Sequence, residues 1–459
     1  MTTETDDLRM QLEAMKKENA IIKERAHASE LALADAEHAL ADAEQNPEKS
    51  KIKKNIRKLR KDARKDGKEL YYPNQKAAAL EVCESISNPD VVFIMVLAPC
   101  QSGKTGCMTA IIENQVTSES KVNPENIFVI TGLSDKEWAK QTRSRIPLLD
   151  SNVIHRGQFP RSKHLLENIK NAVIIVDECH IACTETQSLN KIFQQSGLKD
   201  LQYLKDNNIN IVEFSATPNS TLEDLEQWSK CSKVHIMESG EGYKGHNDLI
   251  EHKRLYQAED LFIDYDAECG LSKEAEIAHN KTIQPAKDAI LNLKINIENT
   301  YKKSARYHII RTPHKLKCET VIGRFKEIFG SDYSYKKCFG NEETLMDELA
   351  KYPEKHTLIF IKESARCAVS FLHKNLIGVL YERIPKKPNH SVIVQGLAGR
   401  ACGYDVDDLM IVYSNVESVE KYNKMVSSKF INRDGFENLK KKKRTHLHHS
   451  TYTNTDEED

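Results

Sequence analysis

Apolar, β-rich runs recur through the middle of this chain with helical spacers between them, and this alternation constrains the fold more than any other feature. The runs cover residues 91–98, 127–131, 173–177, 209–216, 308–312, 357–361, 392–395 and 409–413. Strands that alternate with helices pair in parallel, because each helix carries the chain back across the sheet. A charged helical stretch around residues 271–303 separates the runs into two sets. The sequence therefore predicts an α/β protein with two parallel-sheet domains in tandem.

The length and charge of the chain limit the classes of protein to which it can belong. It has 459 residues, 39% hydrophobic and 29% charged. At roughly 150 residues per domain this allows about three units, which excludes a small disulfide-stapled module, and the hydrophobic content excludes full-length disorder. The 67 basic and 68 acidic residues leave a net charge of −1. Any surface that binds nucleic acid or membrane must therefore be charged locally.

The cysteine pattern and the N-terminal residues are typical of an intracellular protein. Eleven cysteines are scattered without a repeated C-x-x-C spacing, which argues against a disulfide framework and against a zinc ribbon. Residues 1–7 are polar and acidic, unlike a signal peptide, and no window approaches 18 consecutive apolar residues. We therefore expect a soluble protein in the cytoplasm or nucleus, with no membrane partner.

Residues 8–44 carry a heptad pattern of apolar side chains with many alanines, which predicts an N-terminal coiled-coil helix. An alanine-rich seam is weak alone, so we expect self-association or docking to a partner helix. The alternative is a single charged helix that lies on the protein's own body.

Residues 51–68 contain ten Lys and Arg against two Asp, a local net charge of +8. This run fits a solvated helical linker, a nucleic-acid clamp or a nuclear-import signal.

The tail from about residue 435 has almost no apolar content, so we expect disorder there. The predicted boundaries are 1–50 coiled coil, 51–69 basic linker, 70–240 first domain, 241–303 helical connector, 304–430 second domain and 431–459 tail.

The first β-rich run continues into a loop that has the composition of a phosphate loop, followed by a helical stretch. The candidate nucleotide-binding residues are Ala98, Pro99, Cys100, Gln101, Ser102, Gly103, Lys104, Thr105 and Gly106. In such a loop the backbone N–H groups cradle phosphate, the lysine contacts the β and γ oxygens, and the Thr hydroxyl supports Mg²⁺. Ala98 stands where the usual first glycine would be.

A second buried run, at residues 173–177, ends in Asp177 and Glu178. A carboxylate at the end of a strand beside a phosphate loop is suited to hold Mg²⁺, and an adjacent Glu can orient and activate water. Asp177 is therefore the candidate metal ligand together with Thr105, and Glu178 is the candidate catalytic base.

A third run leads to Ser215-Ala216-Thr217. Lys104-Thr105, the Asp-Glu-Cys-His box at 177–180 and Ser215 to Thr217, in this order and spacing, resemble motifs I, II and III of superfamily 2 helicases of the DEAD/DEAH-like group. The resemblance implies two RecA-like domains and assigns coupling of hydrolysis to movement to Ser215 and Thr217. Weaker similarities to other family motifs lie at Gln75 (an adenine-reading glutamine), Thr131-Gly132, His155-Arg156-Gly157, Arg311-Thr312 and Lys362 through Ala368.

The segment from Gln395 to Tyr404 resembles motif VI, whose arginines reach the γ-phosphate from the second domain. Arg400 matches the Gly-Arg core, while Gln395 lies one residue early and Gly403 replaces the second arginine. The family role makes Arg400 an arginine finger and Gln395 a further catalytic candidate. This form of the motif is most similar to helicases of phages and large DNA viruses, which adds a virus-infected cell to the expected locations.

The resemblance, which covers about residues 70–425, implies an ATP-dependent helicase or translocase that uses Mg²⁺ and binds DNA or RNA. Two alternatives stay open. One is an ATPase that remodels protein–nucleic-acid complexes without unwinding, and the other is an adaptor with a vestigial ATPase core.

Overall fold

The computed structural model describes residues 46–117, 120, 122–134, 136–179, 187–217, 230–261, 273–302, 304–312, 315–339, 342–362, 370–383, 389–433 and 436. The predicted coiled coil at 8–44 and nearly all of the predicted disordered tail lie outside these residues. Within the described part of the chain, no helix is long and apolar enough to cross a membrane.

Twelve strands are present in the described residues: β1 Phe93–Leu97, β2 Ile127–Thr131, β3 Val153–His155, β4 Ala172–Asp177, β5 Ile209–Ser215, β6 Ser232–Ile236, β7 Leu255–Gln257, β8 Tyr307–Arg311, β9 Ser334–Phe339, β10 Thr357–Lys362, β11 Ile377–Tyr381 and β12 Ile411–Ser414. The α-helices there are α1 Pro47–Lys65, α2 Pro73–Ile86, α3 Lys104–Thr117, α4 Lys136–Arg145, α5 Phe159–Ser162, α6 Ser188–Gln195, α7 Leu201–Asp206, α8 His246–Glu251, α9 Lys273–Thr300, α10 Lys315–Phe329, α11 Glu342–Leu349, α12 His390–Gln395, α13 Leu397–Arg400 and α14 Val416–Ser427.

The first sheet has the strand order β3-β2-β4-β5-β1-β6, and every pair is parallel. Strands β1, β2, β4 and β5 are buried along their whole length, as their continuous apolar runs require when helices cover both faces. Parallel pairing brings the carboxyl ends of these strands to one edge of the sheet. The segments that follow β1, β4 and β5 therefore meet there.

The second sheet has the order β7-β12-β11-β8-β10-β9 and is also parallel throughout. The two six-stranded sheets confirm the predicted tandem α/β architecture. The stretch 241–303, predicted as a helical connector, contains helices α8 and α9 and also the short strand β7, which pairs with β12. Helix α9 also buries Ile290, Leu293 and Ile297 in the core of the second domain.

The basic segment is helical, but it does not run free in solvent. Ile52 and Ile56 of α1 are 1% and 3% exposed and join the hydrophobic core of the first domain. The boundary predicted at residue 70 thus separates this helix from the core on which it packs. A fully solvated linker is excluded for the stretch that α1 covers.

The predicted strand at 392–395 is wrong, because these residues belong to α12. Asn389 caps this helix by accepting a hydrogen bond from the backbone N–H of Val392 at 3.2 Å, and the helix ends before Gly396. A short apolar run does not distinguish strand from helix by periodicity. Here the cap and the glycine favour helix.

Candidate active site

The phosphate-loop residues connect β1 to α3 and wrap around a glutamine side chain. Gly103 has φ +98°, a conformation that favours glycine. A Cβ atom on Gly103 or Gly106 would collide with the side-chain amide of Gln75, which is 3% exposed. Gln75 also accepts a hydrogen bond from the N–H of Tyr72 at 3.1 Å, at the start of α2. The structure therefore brings Gln75 against the loop, and the two glycines leave the space that its amide fills.

Two tyrosines hold the carbonyl groups of the loop. The hydroxyl of Tyr243 donates to the carbonyl of Cys100 at 2.6 Å, and that of Tyr404 donates to the carbonyl of Ser102 at 3.1 Å. Tyr404 also stacks on Tyr72, with ring centroids 5.6 Å apart. Because Tyr404 is the last residue of the motif VI segment, the conformation of the loop depends on a residue 302 positions away in sequence.

Asp177 lies at the end of β4, and only one of its two carboxylate oxygens accepts a hydrogen bond from a described residue. Trp138 of α4 donates its indole N–H to Oδ2 of Asp177 at 2.8 Å. The other oxygen, Oδ1, is buried and has no hydrogen-bond partner among the described residues. Burial, with repulsion from Glu178, raises the pKa of Asp177 above its usual range. A buried carboxylate oxygen without a donor is suited to accept a cation.

The donor set fits Mg²⁺. Thr105, in the first turn of α3, offers a hydroxyl oxygen, and Asp177 offers its open carboxylate oxygen. Hard oxygen ligands of this kind, with substrate phosphates completing the shell, are what Mg²⁺ requires.

Glu178 adopts φ +49°, which is strained for a residue with a side chain. Its carboxylate is 3% exposed and lies 3.6 Å from Nζ of Lys104. Burial opposes the charge on Lys104, but Glu178, followed by Cys100 and Asp177, outweighs it, so the pKa of Lys104 is raised above its ordinary value. The lysine therefore stays charged in the buried site.

Gln395 connects the second domain to this carboxylate. Its amide nitrogen donates to Oε2 of Glu178 at 3.1 Å and to the hydroxyl of Thr217 at 3.0 Å. The hydroxyl of Ser215 accepts from the N–H of Thr217 at 3.1 Å. One second-domain side chain thus contacts both segments predicted as motifs II and III, although it lies one residue early in the motif pattern.

Arg400 is buried on α13, and its guanidinium donates to the carbonyl of Gln395 at 3.2 Å. Its charge acts on the pKa of Lys104, in the direction opposite to Glu178. The arginine finger at Arg400 stays a prediction.

Gly403 has φ +127°, and the space beside it is taken by Lys374. A Cβ at Gly403 would lie 3.0 Å from Nζ of Lys374 and 3.6 Å from Cβ of Gln101. The ammonium of Lys374 donates to the carbonyl of Cys402. Burial, followed by repulsion from Arg400, lowers the pKa of Lys374 to about 8. A buried cation thus lies beside the position where the family motif has its second arginine.

The two domains also meet through uncharged groups at the mouth of the loop. The hydroxyl of Ser370 donates to the side-chain oxygen of Gln101 at 2.7 Å. Gln141 exchanges two hydrogen bonds with the backbone of Ser370, at 3.2 and 3.3 Å. These contacts connect the two domains beside the loop.

The weaker motif similarities have different outcomes. Arg311 forms an ion pair with Glu382 at 2.6 Å inside the second domain, so it is already engaged away from the loop. Lys362 ends β10, and residues 363–369 lie outside the described part of the chain. Thr131 is the last residue of β2, and the stretch 155–157 begins at the last residue of β3, both at the carboxyl edge of the first sheet.

Sequence reasoning did not identify Trp138, Tyr243 or Lys374, and it included Tyr404 only as the last residue of the motif VI segment, without a role. Each acts through a contact between segments that are distant in the chain, so neither spacing nor periodicity marks it. For Trp138 a weak signal exists, because it is one of only two tryptophans in the sequence.

Solved structures share this fold. The S. cerevisiae protein Dbp5 bound to RNA and ADP BeF3 has a TM-score of 0.43 at 12% identity, covering 79% of this chain and 92% of that chain. The E. coli DEAH/RHA helicase HrpB gives 0.43 at 13% identity, covering 75% and 43%. The DEAD-box helicase Mss116 bound to ssRNA and UDP-BeF gives 0.50 at 12% identity, covering 79% and 73%. No family model matches the chain, and no curated protein matches it. The Mss116 likeness shows the fold, two tandem RecA-like domains.

Proposed function

We propose that this chain is an ATP-dependent nucleic-acid helicase or translocase of superfamily 2, which hydrolyses ATP between its two sheets. The observation that carries the proposal is one buried cluster that joins the phosphate loop, the adjacent carboxylates Asp177 and Glu178, and Gln395 and Arg400 of the second domain. A site that needs both domains makes hydrolysis depend on how the domains are arranged.

In this proposal the ATP phosphates lie against residues 98–106 and the first turn of α3, whose free N–H groups and positive end favour anions. Lys104 contacts the β- and γ-phosphates. Thr105 and Asp177 hold Mg²⁺, which neutralises phosphate charge when it is bound. Gln75 packs against the loop and, by the family resemblance, reads the adenine.

Glu178 is the proposed base that takes a proton from the attacking water. The 3.6 Å pairing with Lys104 supports a switch: entering phosphates give the lysine a stronger anionic partner, which frees one carboxylate oxygen for water. Gln395 holds the other oxygen. Arg400 stabilises the charge that develops on the transferred phosphoryl group.

Ser215 and Thr217 are the proposed couplers between hydrolysis and strand movement. Thr217 shares the amide of Gln395 with Glu178, so a domain rotation that moves Gln395 alters both contacts together. The nucleic-acid partner is proposed from the motif pattern, and the structural neighbour Mss116 is bound to ssRNA in its own structure. The buried ion pair of Lys104 and Glu178 argues against a vestigial site.

The test measures phosphate release by the full-length protein with and without polydeoxynucleotide, single-stranded RNA or duplex. We expect at least one polymer to stimulate hydrolysis. Glu178→Gln should bind ATP normally but hydrolyse it about 10²–10⁴-fold more slowly, while the exposed control Glu167→Gln should behave as wild type. Absence of stimulation by every polymer, or rapid turnover in Glu178→Gln, refutes the proposal. Strand-separation assays then distinguish unwinding from remodelling of complexes without unwinding.

A further inference from the structure

Helix α1 carries a lysine-rich face that the site does not use. We propose that this face binds the phosphate backbone of a nucleic acid outside the interdomain cleft, an inference that rests on the proposed function. It makes α1 part of the nucleic-acid surface of the first domain.

The lysines and the buried residues of α1 lie on opposite faces. At 3.6 residues per turn, five lysines fall within an arc of roughly 80° and span about 21 Å of helix axis; they are Lys51, Lys54, Lys58, Lys61 and Lys65. All five are exposed. Ile52 and Ile56 point the other way, into the core.

The buried face fixes the helix on the first domain. Ile52 and Ile56 stabilise this position because their side chains are removed from water. One guanidinium nitrogen of Arg60 donates to both carboxylate oxygens of Glu113 in α3, at 2.7 and 2.8 Å. The amide of Asn55 donates to the carbonyl of Pro147 at 3.0 Å. The lysines are therefore presented by a rigid body, which lowers the entropy lost on binding.

The positive face is hardly neutralised by the protein itself. Among the described residues, no carboxylate lies within 4 Å of Lys51, Lys54, Lys58 or Lys61. Lys65 pairs with Asp62 at 2.8 Å, but both side chains are exposed, and such pairs contribute little. The chain as a whole has a net charge of −1, so this patch is a local feature.

A nucleic acid fits this face better than a membrane does. One strand of a duplex presents a phosphate about every 3.4 Å along the axis, so a 21 Å row of lysines can follow about six phosphates. An interfacial membrane helix buries its apolar side in lipid, whereas the apolar side of α1 is already buried in the protein.

The test compares two triple variants of the full-length protein. Lys54→Gln/Lys58→Gln/Lys61→Gln removes three charges from the face. The matched control Lys205→Gln/Lys230→Gln/Lys302→Gln removes three exposed charges that precede the amino ends of β5, β6 and β8, at the edge opposite the site. Fluorescence anisotropy gives the affinity for single-stranded and duplex oligonucleotides between 50 and 200 mM salt, and phosphate release gives basal ATPase.

If three phosphate contacts are lost, the slope of log affinity against log salt flattens by about 2–3. Across the fourfold salt range, the affinity of the variant then falls roughly 20- to 40-fold less than that of wild type. The salt slope of the control variant and the basal ATPase of both variants stay equal to those of wild type. A variant slope equal to wild type, with nucleic-acid-stimulated hydrolysis intact, overturns this inference and leaves the proposed function standing.

Two other outcomes separate the remaining cases. If no oligonucleotide binds wild type or stimulates its ATPase, the proposed function itself fails. If vesicles containing phosphatidylserine bind wild type but not the triple variant, while oligonucleotides bind both equally, the face contacts lipid and the inference is wrong.

Discussion

Replacing Gln395 by alanine tests whether the second domain controls the catalytic carboxylate. The side chain is buried, and its amide nitrogen donates to Glu178 at 3.1 Å and to Thr217 at 3.0 Å. A hydrogen bond to a charged group contributes about 1.5–3 kcal/mol. If that contribution stabilises the closed, hydrolysing arrangement, Gln395→Ala should slow nucleic-acid-stimulated ATP hydrolysis roughly 10- to 150-fold.

The assay is steady-state phosphate release at saturating nucleic acid and ATP, with nucleotide affinity measured separately. ATP binding should change little, because the loop residues stay intact. Gln284→Ala is the matched control, since its amide contacts only Asp288 on the exposed face of α9 among the contacts described. Gln395→Glu should be slower than Gln395→Ala, because it puts a second carboxylate beside Glu178. Stimulated hydrolysis within twofold of wild type in Gln395→Ala would refute the reasoning.

Three further predictions concern other parts of the molecule. Arg400→Ala should lower stimulated turnover by about 10³–10⁵ with nucleotide binding much less affected; a loss below threefold would show that the finger lies elsewhere. Trp138→Phe removes the donor to Asp177 and should weaken Mg²⁺ activation about 10- to 100-fold, read as the Mg²⁺ concentration at half-maximal ATPase. Burial lowers the pKa of His246 to about 4, so the unfolded state binds more protons than the native state between pH 6.5 and 4. His246 should therefore lower the free energy of unfolding by about 3 kcal/mol as the pH falls through that window. Urea unfolding at pH 7 and 4.5 checks this, and an unchanged pH dependence in His246→Phe would contradict it.

The sequence predicts the interior strands of both sheets well and the edges poorly. Strands β2 and β4 are buried on both faces, so each reads as a continuous apolar run bounded by polar residues. At the edges, β6 and β9 carry exposed lysines, Lys233 in β6 and the adjacent Lys336 and Lys337 in β9, and both strands lack that signature. Strand β11 is interior, but Gly378 interrupts its pattern. This glycine is needed because a Cβ would press on His308 and Tyr301.

The candidate site divides in the same way. Lys104, Asp177 and Glu178 follow buried strands in short motifs, so local sequence identifies them as candidates. Their partners do not follow from local sequence, because tertiary contacts bring them in from elsewhere. Trp138 reaches Asp177 from another helix, and Tyr243 reaches the loop from the segment between the domains.

The neighbourhood of Gly403 limits what sequence alignment can offer an engineer. Introducing the second arginine of the motif that this segment resembles, by Gly403→Arg, would force a side chain onto a backbone at φ +127° and toward the ammonium of Lys374, 3.0 Å from the new Cβ. A consensus design would thus add a cation where a different segment has already supplied one. In this chain the positive charge at this place comes from Lys374, a residue of a different segment. A variant library should therefore exchange positions 374 and 403 as a pair.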